Sequence, residues 1–366
     1  MTSALTELTL SHFRSHKTLR LGIDARPVAI HGMNGAGKTN ILEAVSLLSP
    51  GRGLRRSSAS DMTRRPEGLG WKVTAVMRSD GAVNEIETWS ENGTARQVRI
   101  DGKAASQVAL GRIARVLWLI PAMDRLWIEG ADGRRRFLDR MTLSFVPDHA
   151  DATLTYEKAM RERNRLLKEQ VRDKAWYGGL EAQMAEAGDA IHRNRCWTLD
   201  LLHGAQAQTE TAFPVADLEL VQTEGEMPTN VADLRDALAE SRFRDLAAGR
   251  TLVGPHRADL HGVFAAKGVP ARDCSTGEQK ALLVSLILAN ARALAGQIHA
   301  APILLLDEVA AHLDSQRRAA LYDEICALGV QAWMTGTGPE LFAELGERAQ
   351  VVCVADADGE SRITTG

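Results

Sequence analysis

Polar and apolar residues alternate at the start of the chain. Leu8 and Leu10, then Leu19, Leu21 and Ile23, fall on every second position, the period of a half-buried strand. Pro27 to Ile30 follows as a short apolar run leading to a glycine. From Asn40 the period changes: Ile41, Leu42, Val45 and Leu48 recur at helical spacing, so this stretch reads strand, glycine-rich turn, helix. Alternation returns between residues 71 and 100 (Val73, Ala75, Met77; Ile86, Thr88; Val98, Ile100). It is broken at Asp80-Gly81, Asn92-Gly93 and Asp101-Gly102, the turn dipeptides of an antiparallel meander. Val116 to Ile120 predicts one more strand, stopped at Pro121.

Beyond about residue 130 the pattern becomes helical and charged, with a single proline, Pro147, in residues 132–206. Leu180, Met184, Ala187 and Ile191 step by four, three and four. That spacing fits either the seam of a short antiparallel helix pair or the buried face of an ordinary helix. Ile303 to Leu306 and Val330 to Met334 are uninterrupted apolar runs, as in strands buried on both faces of a parallel sheet. The expected order is therefore α/β, helical insertion, α/β, with divisions at 1–130, 131–250 and 251–366.

With 366 residues, 45% hydrophobic and 25% charged, the composition is that of a soluble globular protein and excludes a fibrous or disordered chain. The four cysteines are widely separated, with no C-x-x-C pair, so neither a zinc site nor a disulfide framework is expected. The first residues lack a basic start followed by an apolar block. The longest apolar stretch, Ala281 to Gly296, is interrupted by Ser285, Asn290 and Arg292 and is too short for a bilayer. A cytoplasmic protein without a membrane partner is the expectation.

Gly32-Met33-Asn34-Gly35-Ala36-Gly37-Lys38-Thr39 matches G-x-x-x-x-G-K-[ST] between a predicted strand and a predicted helix. Glycines let such a loop curl its N–H groups around phosphate oxygens, and the helix brings its positive N-terminus under the same anion. Lys38 would reach the β- and γ-phosphates of ATP, and the Thr39 hydroxyl would ligate Mg²⁺. Ile303 to Leu306 would deliver Asp307 to that metal. Glu308, the next residue, is the candidate general base, with Lys38 and Asp307 completing the catalytic set. Ser275-Thr276-Gly277-Glu278-Gln279-Lys280 precedes an apolar helix, and Leu313-Asp314 ends seven positions after Asp307.

These strings together resemble the ABC ATPase superfamily, with a Ser-x-Gly-x-Gln signature and a D-loop ending in Leu-Asp. The resemblance implies an ABC-type P-loop ATPase head of α/β class, with an antiparallel β subdomain and an inserted short helical arm. It implies a head-to-tail homodimer in which ATP joins the P-loop of one copy to the signature of the other. Gly32, Asn34, Gly35, Ala36, Gly37, Lys38, Thr39, Asn40 and Arg14 would then bind nucleotide, with Ser275, Gly277, Gln279 and Asp314 contributed across the dimer. The 269 positions between Lys38 and Asp307 resemble the SMC-like branch. Within it, His12-Phe13-Arg14, Gly35 to Glu43, Arg134 to Asp139 and Gly254-Pro255-His256-Arg257 are similar to the recombination mediators of gap repair. That family implies duplex and gapped DNA as ligand, weak DNA-stimulated ATP hydrolysis, RecR and RecO as partners, and RecA loading in the SOS response. Three departures bear on turnover and switching. Met334-Thr335-Gly336-Thr337 has no histidine, leaving Thr335 or Thr337 as substitutes; Pro121 to Asp124 has no glutamine; and Ala258 stands where a second acid is frequent.

The net charge of −3 conceals local asymmetry. Residues 51–72 carry six basic groups against Asp61 and Glu67, residues 112–140 seven arginines against four acids, and residues 209–240 eight acids against Arg235. Arg52, Arg55, Arg56, Arg64, Arg65, Arg112, Arg134, Arg135 and Arg136 are the candidate DNA contacts, to phosphate rather than base. His256 and Arg257 either touch DNA or brace the lobe. The competing readings are another SMC-like repair ATPase, the ATPase subunit of a transporter, and a small-molecule kinase, which would need neither signature nor D-loop.

Overall fold

A computed structural model describes residues 3–364 apart from 66, 80, 92, 209–210 and 299–300. Asp80 and Asn92, expected at turns, and Glu210 of the acidic segment lie outside the described residues. In chain order the elements are β1 (Ala4–Phe13), β2 (His16–Gly22), β3 (Val28–His31), α1 (Lys38–Ser46), β4 (Trp71–Ser79), β5 (Ala82–Ser90), β6 (Gln97–Ile100), β7 (Lys103–Ala105) and β8 (Val116–Leu119). There follow α2 (Ala131–Phe145), α3 (His149–Lys168), α4 (Ala175–Ala207), β9 (Ala216–Gln222), α5 (Val231–Glu240), α6 (Arg242–Ala248), β10 (Ala258–Phe264) and β11 (Val269–Pro270). The chain closes with α7 (Thr276–Ala293), β12 (Ile303–Leu306), α8 (Ser315–Leu328), β13 (Ala332–Gly336), β14 (Gln350–Ala357) and β15 (Glu360–Thr364).

Two units result, one of Met1–Arg125, Ala205–Val215 and Cys274–Gly366, the other of Leu126–Gly204 and Ala216–Asp273. In the first, the alternating segments pair as expected into an antiparallel sheet of order β2-β1-β4-β5-β6-β7. Leu8 lies opposite Ala75 and Leu10 opposite Val73, so one face of each strand is buried. The second sheet has the order β15-β14-β3-β13-β12-β8, with β14, β3, β13, β12 and β8 parallel. Ile41, Leu42 and Val45 of α1, and Leu48 in the turn just beyond it, are fully buried in one core with Leu8, Leu10, Ile30, Leu305 and Trp333. Helical spacing in α1 and continuous apolar runs in β3 and β12 thus feed a single hydrophobic cluster. The order β3-β13-β12 sets the C-terminal ends of three strands side by side, where a P-loop, Thr335 and Asp307 meet. α7 is buried from Gln279 to Ala291, its largely apolar stretch carrying Ser285 and Asn290 into the interior with it. Among the described residues no helix is long and apolar enough to cross a membrane.

The second unit joins α2 to α6 with a three-stranded sheet of order β11-β10-β9. Met184, Ala187 and Ile191 of α4 pack with Tyr156 and Ala159 of α3 and with Leu234 and Leu238 of α5. The seam is therefore the buried face of a small helical core rather than a two-stranded coil. The sequence pattern carries the arm to residue 250, whereas this unit runs to Asp273, because β10 pairs with β9 from Ala258–Gln222 to Phe264–Ala216. Arg163, fully buried, holds it together, pairing with Asp245 at 2.7 Å and Glu181 at 3.2 Å and donating to Leu238 O at 2.9 Å.

His256 braces the same unit. Its Nδ1 lies 2.8 Å from the Tyr156 hydroxyl and its Nε2 3.1 Å from Thr251 O. The neutral tautomer protonated at Nε2 satisfies both, and burial pushes the imidazole down to about 4. Between about pH 6.5, the unfolded value, and about 4 the unfolded chain binds the extra proton, so stability is complete above that window and falls on acidification through it. Urea unfolding of wild type against His256→Gln should show the wild type losing on the order of 3 kcal/mol more between pH 7 and pH 4. Parallel losses in the two proteins would exclude this role.

Candidate nucleotide site

β3 ends at His31, and the chain turns through Gly32 to Gly37 before α1 begins at Lys38. Two glycines are required by geometry. A Cβ on Gly32 would lie 2.0 Å from Val354 O; at Gly37, with φ +100°, it would lie 2.2 Å from Ser361 Oγ and 2.7 Å from Ser15 Oγ. The loop ends against the N-terminus of α1, whose free N–H groups and dipole favour an anion. Lys38 is buried and its Nζ donates to Gly32 O (2.7 Å) and Met33 O (2.9 Å), which holds the ammonium across the loop. Burial draws its pKa down, and the nearby Glu308 and Asp307 charges oppose that shift. Asn34 and Gly35 are exposed in the loop, and Ala36 is buried beneath it.

Asp307 follows β12, its N–H donating to Leu119 O at 2.9 Å. The Thr39 hydroxyl faces both its oxygens, donating to Oδ1 at 2.9 Å and lying 3.2 Å from Oδ2. The Thr335 hydroxyl, buried on β13, donates to Asp307 Oδ1 at 2.7 Å and accepts the Glu308 N–H at 2.9 Å. Thr335 is thus a brace between the two acids, while Thr337 is exposed just beyond the strand. Glu308 sits at φ +53°, a left-handed conformation that costs on the order of 1–3 kcal/mol without glycine. Its side chain is aimed by a strained backbone fixed at one N–H. Thr335→Val keeps shape but leaves that N–H without its acceptor. We expect a stability loss of about 1–3 kcal/mol in urea and slower ATP turnover; unchanged values in both would exclude the brace.

A second network, led by Glu43 of α1, escapes sequence reading. This carboxylate is fully buried and receives a fork from Arg14 (Nε at 2.9 Å, Nη2 at 2.7 Å), with Arg55 Nη1 at 3.3 Å and Ser57 Oγ at 3.2 Å. Arg14 also donates to Asp61 O at 2.7 Å, and Arg55 to Asn40 Oδ1 at 2.8 Å. Asn40 Nδ2 in turn donates to Ser15 Oγ at 2.7 Å. At the other end of α1, Arg96 donates to Leu47 O (2.7 Å) and Gly51 O (2.6 Å), and its burial pushes its pKa down to about 10. The arginine-rich loop after α1 is therefore tied to both ends of that helix. In sequence Arg14 and Glu43 stand in separate strings, with nothing to show that they pair.

Ser275 caps α7, accepting from Glu278 N at 3.4 Å while Glu278 Oε2 accepts its N–H at 2.9 Å, a reciprocal capping box. Gly277 is exposed, and a Cβ there would meet nothing within 4 Å. Gln279 points back instead, its Nε2 donating to Cys274 O at 2.9 Å. Asp314 caps α8 through Arg317 N at 2.8 Å. Among the candidate DNA contacts, Arg52, Arg55, Arg56, Arg65 and Arg112 are exposed. Arg64 is buried, donating to Ser15 O at 2.6 Å and Gly359 O at 3.2 Å. Arg134 forks onto Asp259 at 2.7 and 2.9 Å, Arg135 donates to Ala258 O at 2.7 Å, and Arg136 pairs with Asp132. Local charge counts do not register such internal partners.

The family described as RecF/RecN/SMC N terminal domain matches residues 4–358. The DNA replication and repair protein RecF of Rhizobium rhizogenes is 49% identical over 362 residues, 96% of each chain. That of Rhizobium meliloti is 46% identical over 365 residues, covering 96% of this chain and 97% of its own. The solved structure of the recombination mediator protein RecF with ATP, in the RecFOR pathway, superposes with a TM-score of 0.82 at 25% identity, covering 99% of both chains. An Smc head domain from Pyrococcus furiosus shares the fold alone, with a TM-score of 0.57 at 18% identity. With a P-loop, an acidic strand end and a capped signature helix set in this ABC-type head, the chain belongs to the RecF family of DNA replication and repair proteins.

Proposed function

We propose that the chain is an ATP-gated DNA clamp of recombinational gap repair. The observation that carries this reading is the meeting of Lys38, Thr39, Asp307, Thr335 and Glu308 at the ends of three adjacent strands, beside a helix that anchors an arginine-rich loop. Lys38 and the α1 N-terminus hold the nucleotide phosphates. The Thr39 hydroxyl and the Asp307 carboxylate form an all-oxygen pair suited to a hard cation, and Mg²⁺ held there would neutralise charge on the β- and γ-phosphates. Glu308 accepts the proton of the attacking water.

Ser275 and Gly277, exposed at the N-terminus of α7, offer a second phosphate site to another copy of the chain, and Asp314 contributes across the same dimer. Two copies thereby enclose two nucleotides. Gln279 serves this site by bracing the cap. Arg14, held by Glu43, positions the P-loop helix and the basic loop together. Nucleotide state at Asn40 reaches Arg55 directly, and through the loop it reaches Arg52, Arg56 and Arg65, which contact duplex phosphates. Hydrolysis is slow, stimulated by DNA, and releases the clamp. The clamp acts at single-strand to double-strand junctions with RecO and RecR, in the cytoplasm, to promote RecA loading.

Duplex binding measured against salt tests this. With ATP, log Kd should change with log salt at about 0.9 per phosphate contact, so a slope near 3 per subunit for the three loop arginines. With ADP affinity should fall. A flat salt response, or equal affinity in ATP and ADP, would remove the clamp.

A further inference from the structure

The first residue of β2, His16, is fully buried against the loop that runs from Gly32 to Lys38. Its Nε2 lies 3.1 Å from Gly37 O. Burial draws its pKa below the usual value, against the weaker pull of the Gly37 and Ser361 backbone, so the ring is neutral. A carbonyl oxygen can only accept, so the proton is on Nε2 and the ring donates to Gly37. The same oxygen accepts the Asn40 N–H at 3.1 Å, a bond of the first turn of α1. Ser15, next to His16, and Ser361 of β15 share a hydroxyl contact of 2.6 Å, and Ser361 N donates to Ser15 O at 3.0 Å. Both hydroxyls lie where a Cβ on Gly37 would fall. The β1–β2 corner and the last strand of the chain thus form one seat for Gly37.

We infer that His16 is a positioning residue for phosphate binding, fixing the peptide between Gly37 and Lys38 so that the Lys38 N–H faces the bound phosphate. Gly37 needs such a clamp. It sits at φ +100°, and glycine moves between backbone conformations at little cost, so its own dihedrals do not hold the peptide. A trans peptide points its C=O and N–H in opposite directions, so a donor on Gly37 O sets the direction of the Lys38 N–H. That N–H is among the first of α1, which lack a helical acceptor, and a phosphate oxygen supplies one. A leucine would fill the same space. A buried imidazole is costly unless its N–H is used, and here it is used on Gly37 O. With no solvent exposure the ring offers the nucleotide nothing to touch, so its effect passes through the loop. The inference deepens the proposed function and rests on its reading of residues 32–39 as the phosphate site.

The test is titration of the full chain with a fluorescent ATP analogue and Mg²⁺, together with single-turnover hydrolysis at saturating ATP, for wild type, Lys38→Met, His16→Leu, His16→Gln and His16→Asn. Glutamine carries an N–H at the reach of the imidazole Nε2; asparagine is a methylene short. His16→Leu and His16→Asn should bind about three- to tenfold more weakly, the loss of one hydrogen bond, and should hydrolyse at the wild-type rate once saturated. His16→Gln should bind within about twofold of wild type. Urea unfolding shows that each variant is folded, and one readout needs no variant at all: in wild type labelled with ¹⁵N-histidine, the His16 ring should carry its proton on Nε2. Wild-type affinity in His16→Leu and His16→Asn, equal losses in the glutamine and asparagine variants, a loss confined to the saturated rate, or a proton on Nδ1 would each overturn the inference. Lys38→Met should lose ATP binding. If it binds ATP as wild type does, the phosphate-site reading falls and the role of His16 with it; wild-type affinity in His16→Leu beside a defective Lys38→Met overturns His16 alone.

Discussion

Glu308→Gln should lower ATP turnover by about 100- to 10,000-fold while leaving ATP affinity within a small factor, because it removes the proposed proton acceptor but none of the proposed phosphate contacts. The geometry explains the selectivity. Glu308 is placed by a left-handed backbone whose N–H is held by Thr335, and the same hydroxyl holds Asp307. The amide is isosteric, so the loop keeps its shape and the ATP-bound state accumulates. Single-turnover hydrolysis and equilibrium nucleotide binding, measured on the same preparation, separate the two effects. Comparable losses in both would mean that Glu308 supports the loop rather than the chemistry.

A different kind of loss is expected at Arg14. Its partner Glu43 has no solvent exposure, and removing one member of a buried pair strands the other charge. Arg14→Met should therefore cost on the order of 3–5 kcal/mol in urea unfolding, softened by the remaining contacts from Arg55 and Ser57. Removing both charges, as Arg14→Met with Glu43→Leu, should restore most of that stability, since no buried charge is then left unpaired. It should not restore nucleotide-dependent DNA binding, because the basic loop has lost its ties to Glu43 and keeps only those at the two ends of α1. If the double variant is no more stable than the single one, packing rather than charge explains the position.

Much of this arrangement is written locally. Residues 27–48 carry their own strand, glycine turn and helix signals within one short window, and Ile303 to Glu308 carries a buried strand with acids at its end. These segments need no distant information, and the structure sets their strands, β3 and β12, on either side of β13 in one sheet. What escaped were long-range partners. Glu43 meets residues 29 positions before it and 12 and 14 positions after it. Thr335 reaches Asp307 from the neighbouring strand, 28 positions on. Neither distance leaves a periodicity. Arg64 and Arg134 belong to basic stretches in the sequence, yet their guanidiniums meet carbonyls and Asp259 inside their own units. Charge counting gives the density of cations but not which of them already have partners. The membership of β10 with the helical unit follows from its pairing with β9, a contact between segments that look unrelated in pattern.

The proposed shared-site dimer rests on Ser275, exposed at the N-terminus of α7. Ser275→Arg places a long cation at the N-terminus of α7, where the site of a second copy would close. It removes a helix cap, a loss of about 1 kcal/mol, and leaves the P-loop of the same chain untouched. Sedimentation velocity with saturating ATP, in a Glu308→Gln background that prevents turnover, reads the result directly. The account predicts a nucleotide-bound monomer for Ser275→Arg and a dimer for the background alone. A Ser275→Arg protein that dimerises with ATP as fully as the background would contradict it.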